Sequence, residues 1–318
     1  MPPSTRRRTV MRVWFFLTFL MFAARCVDQA KPYVKNIVGA QEDAPATSPS
    51  APAASLVRGI RLASWNMEWL DVPGRGLKSR TKSDYAQLAQ HAARLEADVI
   101  AVQEVASELA LALVFPPEQY GYHLAARGGS QRSGFVFKRG LPVVKHPDLS
   151  ELAGEHLRAG ADLGIRLGDQ ELRLLSVHLK AFCVTGPINT KDRDCAQLKA
   201  QLPALESWVD ARAREGVAFA VVGDFNRLVA DPKDELWRDL DDGEPAELKL
   251  VQATPARRAQ CTKESHQAVD HVLLGGAASS WLTPGSFREL TYLRSDESPR
   301  VKLSDHCPLV IELKLPNG

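Results

Sequence analysis

The sequence predicts a layered α+β sandwich, and three observations carry that expectation. Seven apolar runs of strand length stand against only two segments with helical spacing. Several of the runs follow one another with no helix between them, which argues against a doubly wound sheet. Residues able to do chemistry come directly after the runs, at the strand ends where layered folds present their sites.

In chain order, Ile60 to Trp65 is the first predicted strand. Ser83 to Leu95 has helical spacing at Tyr85, Leu88, Ala92 and Leu95, with Ser83 as the expected N-cap. Val99 to Val102 is a short continuous apolar run, the mark of a buried strand. Gly134 to Lys138 and Leu172 to Leu179 predict further strands. Cys195 to Glu215 is the clearest helix, striped by Leu198, Leu202, Leu205 and Val209 and widened by Trp208. Pro203 in its interior predicts a kink or a break, since proline removes a helical donor. Ala218 to Val222, Val269 to Leu274 and Pro308 to Leu313 complete the strands, and no internal repeat is visible.

At 318 residues the chain has ample length for a substantial core. Its first residues do not belong to that core. Arg6, Arg7, Arg8 and Arg12 precede an apolar stretch from Val13 to Ala24, shorter than the roughly 20 residues a bilayer span needs. This pattern predicts a secretory signal peptide over 1–26, cut after Cys26. An uncleaved anchor, a lipoprotein at Cys26 and a twin-arginine route are the weaker alternatives. An Ala/Pro/Ser-rich linker follows over 27–56, with a folded domain over 57–318 whose ordered part ends near Leu315. The formal net charge is +2, but residues 1–30 carry five basic side chains and one acidic, so the remainder has a net charge of −2. No overall field draws the domain to nucleic acid or anionic membrane, although a groove can still be locally basic.

The chemistry-bearing residues recur at the ends of the runs. Asn66 and Glu68 follow the first strand, Glu104 the second, and His178 ends another. Asp224 and Asn226 lie in Gly223-Asp224-Phe225-Asn226, Asp270 and His271 in Val269-Asp270-His271, and Asp305 and His306 in Ser304-Asp305-His306. Each has a plain explanation taken singly. A histidine in an apolar strand is more often a satisfied core residue than a catalyst, and Gly-Asp and Ser-Asp are ordinary turn formers. Carboxylates, an amide and imidazoles delivered together are nevertheless what metal-assisted attack on a phosphoester requires.

The ordered set Trp65-Asn66, Gln103-Glu104, Ser176-Val177-His178, Gly223-Asp224-Phe225-Asn226, Val269-Asp270-His271 and Ser304-Asp305-His306 resembles the endonuclease/exonuclease/phosphatase family. The resemblance runs from about Arg61 to Leu313 and is nearly silent on which member this is. It implies a four-layered α/β/β/α sandwich, with two mixed β-sheets packed face to face and helices outside. It also implies a divalent cation, usually Mg²⁺, with Mn²⁺ or Ca²⁺ as alternatives. Carried over, Glu104 is the principal metal carboxylate, with Asn66, Glu68 and Asp305 in or near its shell. Asp224 and Asn226 match the residues that position or deprotonate water and hold the phosphate. His306 matches the histidine at the scissile phosphate, oriented by Asp270, and His178 matches the second histidine, at the phosphate or the leaving oxygen. His271 is read as structural.

The expected activity is therefore an exported, metal-dependent phosphodiester hydrolase, most simply a nuclease. A phosphatase or phospholipase-type esterase on lipid or inositol phosphates is the second reading, and no aromatic-rich insertion marks a membrane-dipping hairpin. A non-catalytic binding module is disfavoured because Glu104, Asp224, Asn226, Asp305 and His306 are all present. The processed chain is expected to be a monomer with no stable membrane span. Beyond Cys26 four cysteines remain, an even number that suits disulfides in an exported protein. Cys183 and Cys195 flank the polar loop Val184 to Asp194 and are expected to pair, and Cys261 with Cys307 is the weaker expectation. No cysteine pair has zinc-site spacing. Gly186 to Asp194, Arg127 to Arg139 and Arg257-Arg258 are candidate substrate edges or ordinary solvated turns.

Overall fold

Alternating burial along the apolar runs builds two sheets that share one interior. The computed structural model of the chain describes residues 59–246, 248–261, 268–292 and 303–315. The expected leader and linker lie outside the described residues. The chain divides into the units Met1–Ala53 and Ala54–Gly318, and the described residues all lie in the second.

The elements are β1 (Gly59–Leu70), α1 (Lys82–Leu95), β2 (Val99–Val105), α2 (Glu108–Ala112), β3 (Tyr120–Leu124) and β4 (Arg132–Lys138). There follow β5 (Val143–Lys145), β6 (Ala161–Leu167), β7 (Gln170–His178), α3 (Arg193–Arg214) and β8 (Ala218–Asp224). The last are α4 (Glu235–Leu240), β9 (Val251–Gln252), β10 (Asp270–Gly275), β11 (Arg288–Glu289) and β12 (Leu309–Lys314). One sheet has the order β11-β12-β1-β2-β4-β3 and the other β5-β6-β7-β8-β10-β9. The two orders are the same topology. Each has a single parallel pair, β1/β2 or β7/β8, and antiparallel neighbours elsewhere. A parallel pair needs a crossover, which α1 supplies in one sheet and α3 in the other. The repeat that the sequence conceals is therefore present in the strand order, circularly permuted, since β12 and β1 lie at opposite ends of the domain where β6 and β7 are consecutive.

Period-two alternation explains the layers. Ile60, Leu62, Val99, Ala101, Leu172, Leu174, Ala220, Val222, Val272 and Ile311 face inward and form one cluster between the sheets. Residues of opposite parity, such as Trp65, Ile100 and Val102, pack under α1 against Leu88 and Leu95. Leu175, Val177, Phe219 and Val221 pack under α3 against Leu198, Leu202, Leu205 and Val209. Three apolar clusters thus separate four layers, the architecture the family resemblance implies.

Two local details differ from expectation. Helix α1 is capped by Thr81, not Ser83: Thr81 and Asp84 form a reciprocal capping box that satisfies two terminal donors. Helix α3 runs unbroken through Pro203, which lies on its exposed side, where the carbonyl left without a partner can reach water. The short strands at the sheet edges and β6 escaped the sequence reading because they lack long apolar runs. Among the described residues no helix is long and apolar enough to cross a membrane.

Candidate active site

The inward rows of the central strands change from apolar to polar at one end of the interior. Inward-facing Leu62 gives way to Ser64 and Asn66 on β1, and Ala101 to Gln103 on β2. Leu174 gives way to Ser176 and His178 on β7, and Val222 to Asp224 on β8. All of these polar residues are buried. Gln103 Nε2 donates to Ser176 Oγ at 3.3 Å, and Ser176 Oγ donates to the Val102 carbonyl at 3.3 Å, closing the floor between the two sheets.

Asp224 is the hub. Asn66 Nδ2 donates to its Oδ2 at 3.0 Å, and the backbone N–H of Asn226 donates to its Oδ1 at 2.8 Å. His178 Nε2 stands 3.6 Å and His306 Nε2 3.9 Å from the same Oδ2. His306 Nδ1 lies 2.8 Å from Asp270 Oδ2, so the pair Asp270–His306 points the other ring nitrogen at Asp224. Burial pushes the Asp224 carboxyl up, opposed by the charge of His306 and reinforced by that of Asp270. Burial alone would lower His306, but the Asp270 and Asp224 carboxylates hold it well above the ordinary histidine range. His178 goes the other way: burial, and then the nearby charges of Arg158 and His306, keep its imidazole neutral.

Glu104 reaches this cluster through an irregularity. Strict alternation would point it at α1, but the register shifts between Val102 and Val105 on β2 and between Asn66 and Leu70 on β1. Such bulges re-aim side chains. Glu104 has φ +57°, and its neighbours Glu68 (+41°) and Trp69 (+57°), like Asn226 (+52°), also occupy the left-handed region. These conformations cost on the order of 1 kcal/mol or more each for non-glycine residues and cluster at functional sites. As a result Glu104 Oε1 accepts from Asn66 Nδ2 at 3.3 Å and lies 3.9 Å from His178 Nε2, while Oε2 accepts from Trp69 N at 3.1 Å.

The four residues expected around a metal do not form one closed shell. Asn66 turns its amide nitrogen to Glu104 and Asp224, and its oxygen accepts from Glu68 N at 3.0 Å. It is placed as a donor that orients two carboxylates. Glu68 is engaged by Lys78 and by the backbone N–H of exposed Asp305 at 2.8 Å. Among the described residues, Asp224, Asp270 and His306 form a group that could hold a metal ion, with ligand atoms within 4.8 Å of one another. Asp270 Oδ1 is buried with no hydrogen-bond partner, an oxygen still available to a cation or proton. A concentration of carboxylate oxygens with one imidazole fits a hard divalent ion.

Several residues that build the site were not singled out in the sequence. Arg80 donates to the carbonyls of Met67, Glu68 and Leu303 at 2.8, 2.7 and 2.6 Å, tying the end of β1 to the segment before Asp305. Ser304 Oγ donates to the Asn66 carbonyl at 2.7 Å and accepts from His306 N at 3.1 Å. Tyr292 OH donates to the His306 carbonyl at 2.6 Å. Arg158 feels the charges of Glu104 and Asp224 and is held by Gln131 at 2.7 Å. None of these but Ser304 lies in a recognisable motif, so only that one carried a signal.

The candidate basic edges divide. Arg132 pairs with Val105 at the site end of the sheet, whereas Lys138 bonds Asp98 at the far end. Arg257 is committed to Glu289 at 3.1 Å and to the Asp270 carbonyl. His271 faces outward, between Thr254 Oγ1 at 3.2 Å and the Arg227 carbonyl at 3.1 Å, a structural position. Both cysteine pairs are bridged. Cys183–Cys195 closes the loop after β7, and Cys261–Cys307 holds the residue directly after His306, with Cα separations of 4.9 and 5.1 Å.

No curated protein matches the sequence. Solved structures do. Truncated TDP2 of Caenorhabditis elegans superposes with a TM-score of 0.56 at 17% identity, covering 81% of this chain and 98% of that one. TDP2 of D. rerio complexed with a single-strand DNA product gives 0.53 at 14%, covering 81% and 99%. The 3′ phosphatase NExo from Neisseria, bound to a product DNA hairpin, gives 0.53 at 14%, covering 80% and 100%. At these identities the likeness is one of fold. The family model of the endonuclease/exonuclease/phosphatase family matches residues 63–306, which takes in every strand of the site, and the chain belongs to that family of metal-dependent phosphoester hydrolases.

Proposed function

We propose that the chain is an exported, divalent-metal-dependent nuclease. The observation that carries the reading is the Asp270–His306 pair aimed at buried Asp224, with His178 and Asn66 on the same carboxylate oxygen. A phosphodiester carries negative charge, and more gathers on its non-bridging oxygens as water attacks. His306, held protonated by two carboxylates, offsets that charge from Nε2. Asp224, with its pKa raised by burial, accepts the proton of the attacking water. The Asn226 side-chain amide donates to the Leu179 carbonyl at 3.0 Å, which locks the turn after Asp224 and leaves its second N–H to hold phosphate. Neutral His178 donates a hydrogen bond to phosphate or to the leaving oxygen. Burial and the charges of Arg158 and His306 favour its neutral form, and the leaving oxygen would take its proton from the His306 imidazolium. Glu104 would hold the cation together with Asp305, whose backbone N–H is tied to Glu68; the ion, Mg²⁺ in the simplest case, would supply Lewis acidity to the phosphate when bound.

Export is supported by two disulfides, which persist in oxidising compartments. The nucleic acid substrate draws support from the DNA products named for the TDP2 and NExo structures. The test is nicking of supercoiled plasmid by the purified protein with Mg²⁺ and with EDTA, using Asp224→Ala as the contamination control. EDTA-sensitive cleavage that disappears in the variant supports the reading. No cleavage by folded protein would move the substrate to phospholipid or inositol phosphate.

A further inference from the structure

Four residues beyond His178, the side chain of Phe182 is 81% exposed, the most exposed large apolar side chain among the described residues. Single exposed apolar residues are common on protein surfaces and need no explanation by themselves. Three further observations set this one apart.

First, its backbone lies in the left-handed region at φ +71°, a conformation a bulky residue adopts only when its surroundings impose it. Second, the residues on both sides are fixed. The Leu179 carbonyl accepts from the Asn226 side chain at 3.0 Å, and Lys180 N donates to Gln201 Oε1 at 2.9 Å. Cys183 is bridged to Cys195, and its carbonyl accepts from buried Arg227 at 2.8 Å. Leu228 N donates to the Val184 carbonyl at 3.1 Å. The loop is therefore a rigid mount, and the ring it carries packs into no apolar cluster. Third, the mount carries cations, partly balanced by Asp192 and Asp194, close to the chemistry. Lys180 Nζ stands 5.2 Å from the ring centroid and 2.6 Å from Asp194, and Lys191 and Arg193 are exposed on the same disulfide-closed loop. Four residues span at most about 14 Å, which keeps the ring within one or two nucleotides of a phosphate held at His178.

We propose that Phe182 is a stacking platform for an unpaired nucleobase flanking the scissile phosphate, making the preferred substrate single-stranded. The proposal rests on the nuclease reading of the same site. An exposed aromatic face with cations beside it matches how single strands are held: bases stack on rings while basic side chains follow the phosphates. A base paired in a duplex has both faces covered and has no use for such a platform.

The experiment measures Mg²⁺-dependent cleavage of a single-stranded oligonucleotide, and of the same oligonucleotide with an abasic residue beside the cleaved bond, by wild type, Phe182→Ala and Phe182→Trp. Wild type is expected to cleave both. Phe182→Ala is expected to raise KM on the intact strand about tenfold more than on the abasic one, in line with base–aromatic stacking. Phe182→Trp, which keeps an aromatic face, is expected to restore most of the loss and to show fluorescence quenching when the oligonucleotide binds in EDTA. Equal losses on both substrates would overturn the proposal, because the ring would then act only through loop geometry. Unchanged kinetics in Phe182→Ala would overturn it as well. Cosedimentation of wild type, but not Phe182→Ala, with anionic phospholipid vesicles would reassign the ring to a membrane surface. If wild type cleaves neither the oligonucleotide nor supercoiled plasmid, the nuclease reading fails and this inference falls with it; if wild type nicks plasmid but not the oligonucleotide, or cleaves the oligonucleotide without the Phe182 contrast, this inference falls and the nuclease reading stands.

Discussion

Asp224 and Asp270 stand directly opposite each other in the antiparallel β8–β10 ladder, both buried on the inward face. Like charges in that relation repel, and the repulsion grows with burial. His306 answers it: Nδ1 contacts Asp270 at 2.8 Å, and Nε2 faces Asp224 at 3.9 Å. One imidazolium between two carboxylates is stable, and it leaves a proton-bearing nitrogen and a proton-seeking oxygen at the same edge. That pairing of a histidine from the segment before β12 with a carboxylate on β8 is the core of the proposed mechanism.

Asp270→Asn should lower kcat on the order of a hundredfold or more, since the general acid–base pair loses its orienting charge. It should also change the pH profile. His306 is held high by carboxylates, so removing one lowers its pKa and moves the alkaline limb of the pH–rate curve to lower pH. A full pH–rate profile of the variant checks this, and an unmoved alkaline limb would take His306 out of the rate law.

Glu104→Gln should raise the Mg²⁺ concentration for half-maximal activity by roughly an order of magnitude, because one charged oxygen is lost to a hard cation. The protein alone provides a second readout. Mg²⁺ binding raises the thermal midpoint of the wild type by mass action, and that shift should shrink in Glu104→Gln. An identical shift in both proteins places Glu104 outside the metal shell.

His271 should make the fold sensitive to acid. It is buried between Thr254 and Arg227, and burial, with the charge of Arg257, lowers its pKa from 6.5 to about 4. Between those values the unfolded chain binds the proton and the folded one does not. The contribution is therefore present above pH 6.5 and lost as pH falls toward 4, on the order of 3 kcal/mol in all. His178 is depressed in the same sense and adds to the slope. Urea midpoints should fall more steeply from pH 7 to 4.5 in wild type than in His271→Asn.

Gly223→Ala should destabilise the domain by about 3 kcal/mol or more. The backbone there has φ +146°, and an added Cβ would lie 2.1 Å from the Val177 carbonyl on the neighbouring strand. The close approach lets β7 and β8 set His178 beside Asp224 in register. Chemical denaturation measures the loss, and an alanine variant of wild-type stability would show that the strand separation is not fixed by this glycine.

The sequence by itself determined seven of the twelve described strands, the two long helices with the apolar stripe of each, and the residues that end those strands. Burial follows a period of two or 3.6 along the chain, so those properties are local and can be read from spacing. Cys183–Cys195 was legible for the same reason, its loop being short. Tertiary structure decided what depends on neighbours distant in the chain. The two sheets repeat one topology though their sequences do not, because hydrogen-bonded ladders constrain direction and order, not side-chain identity. Alternation alone points Glu104 toward α1; a bulge in register turns it toward Asn66 and His178. Asp224 faces Asp270, and Arg158 comes near both Glu104 and Asp224, only once the strands and loops have packed. A site made of charges works through distances of a few ångströms, and those are set by the packed fold.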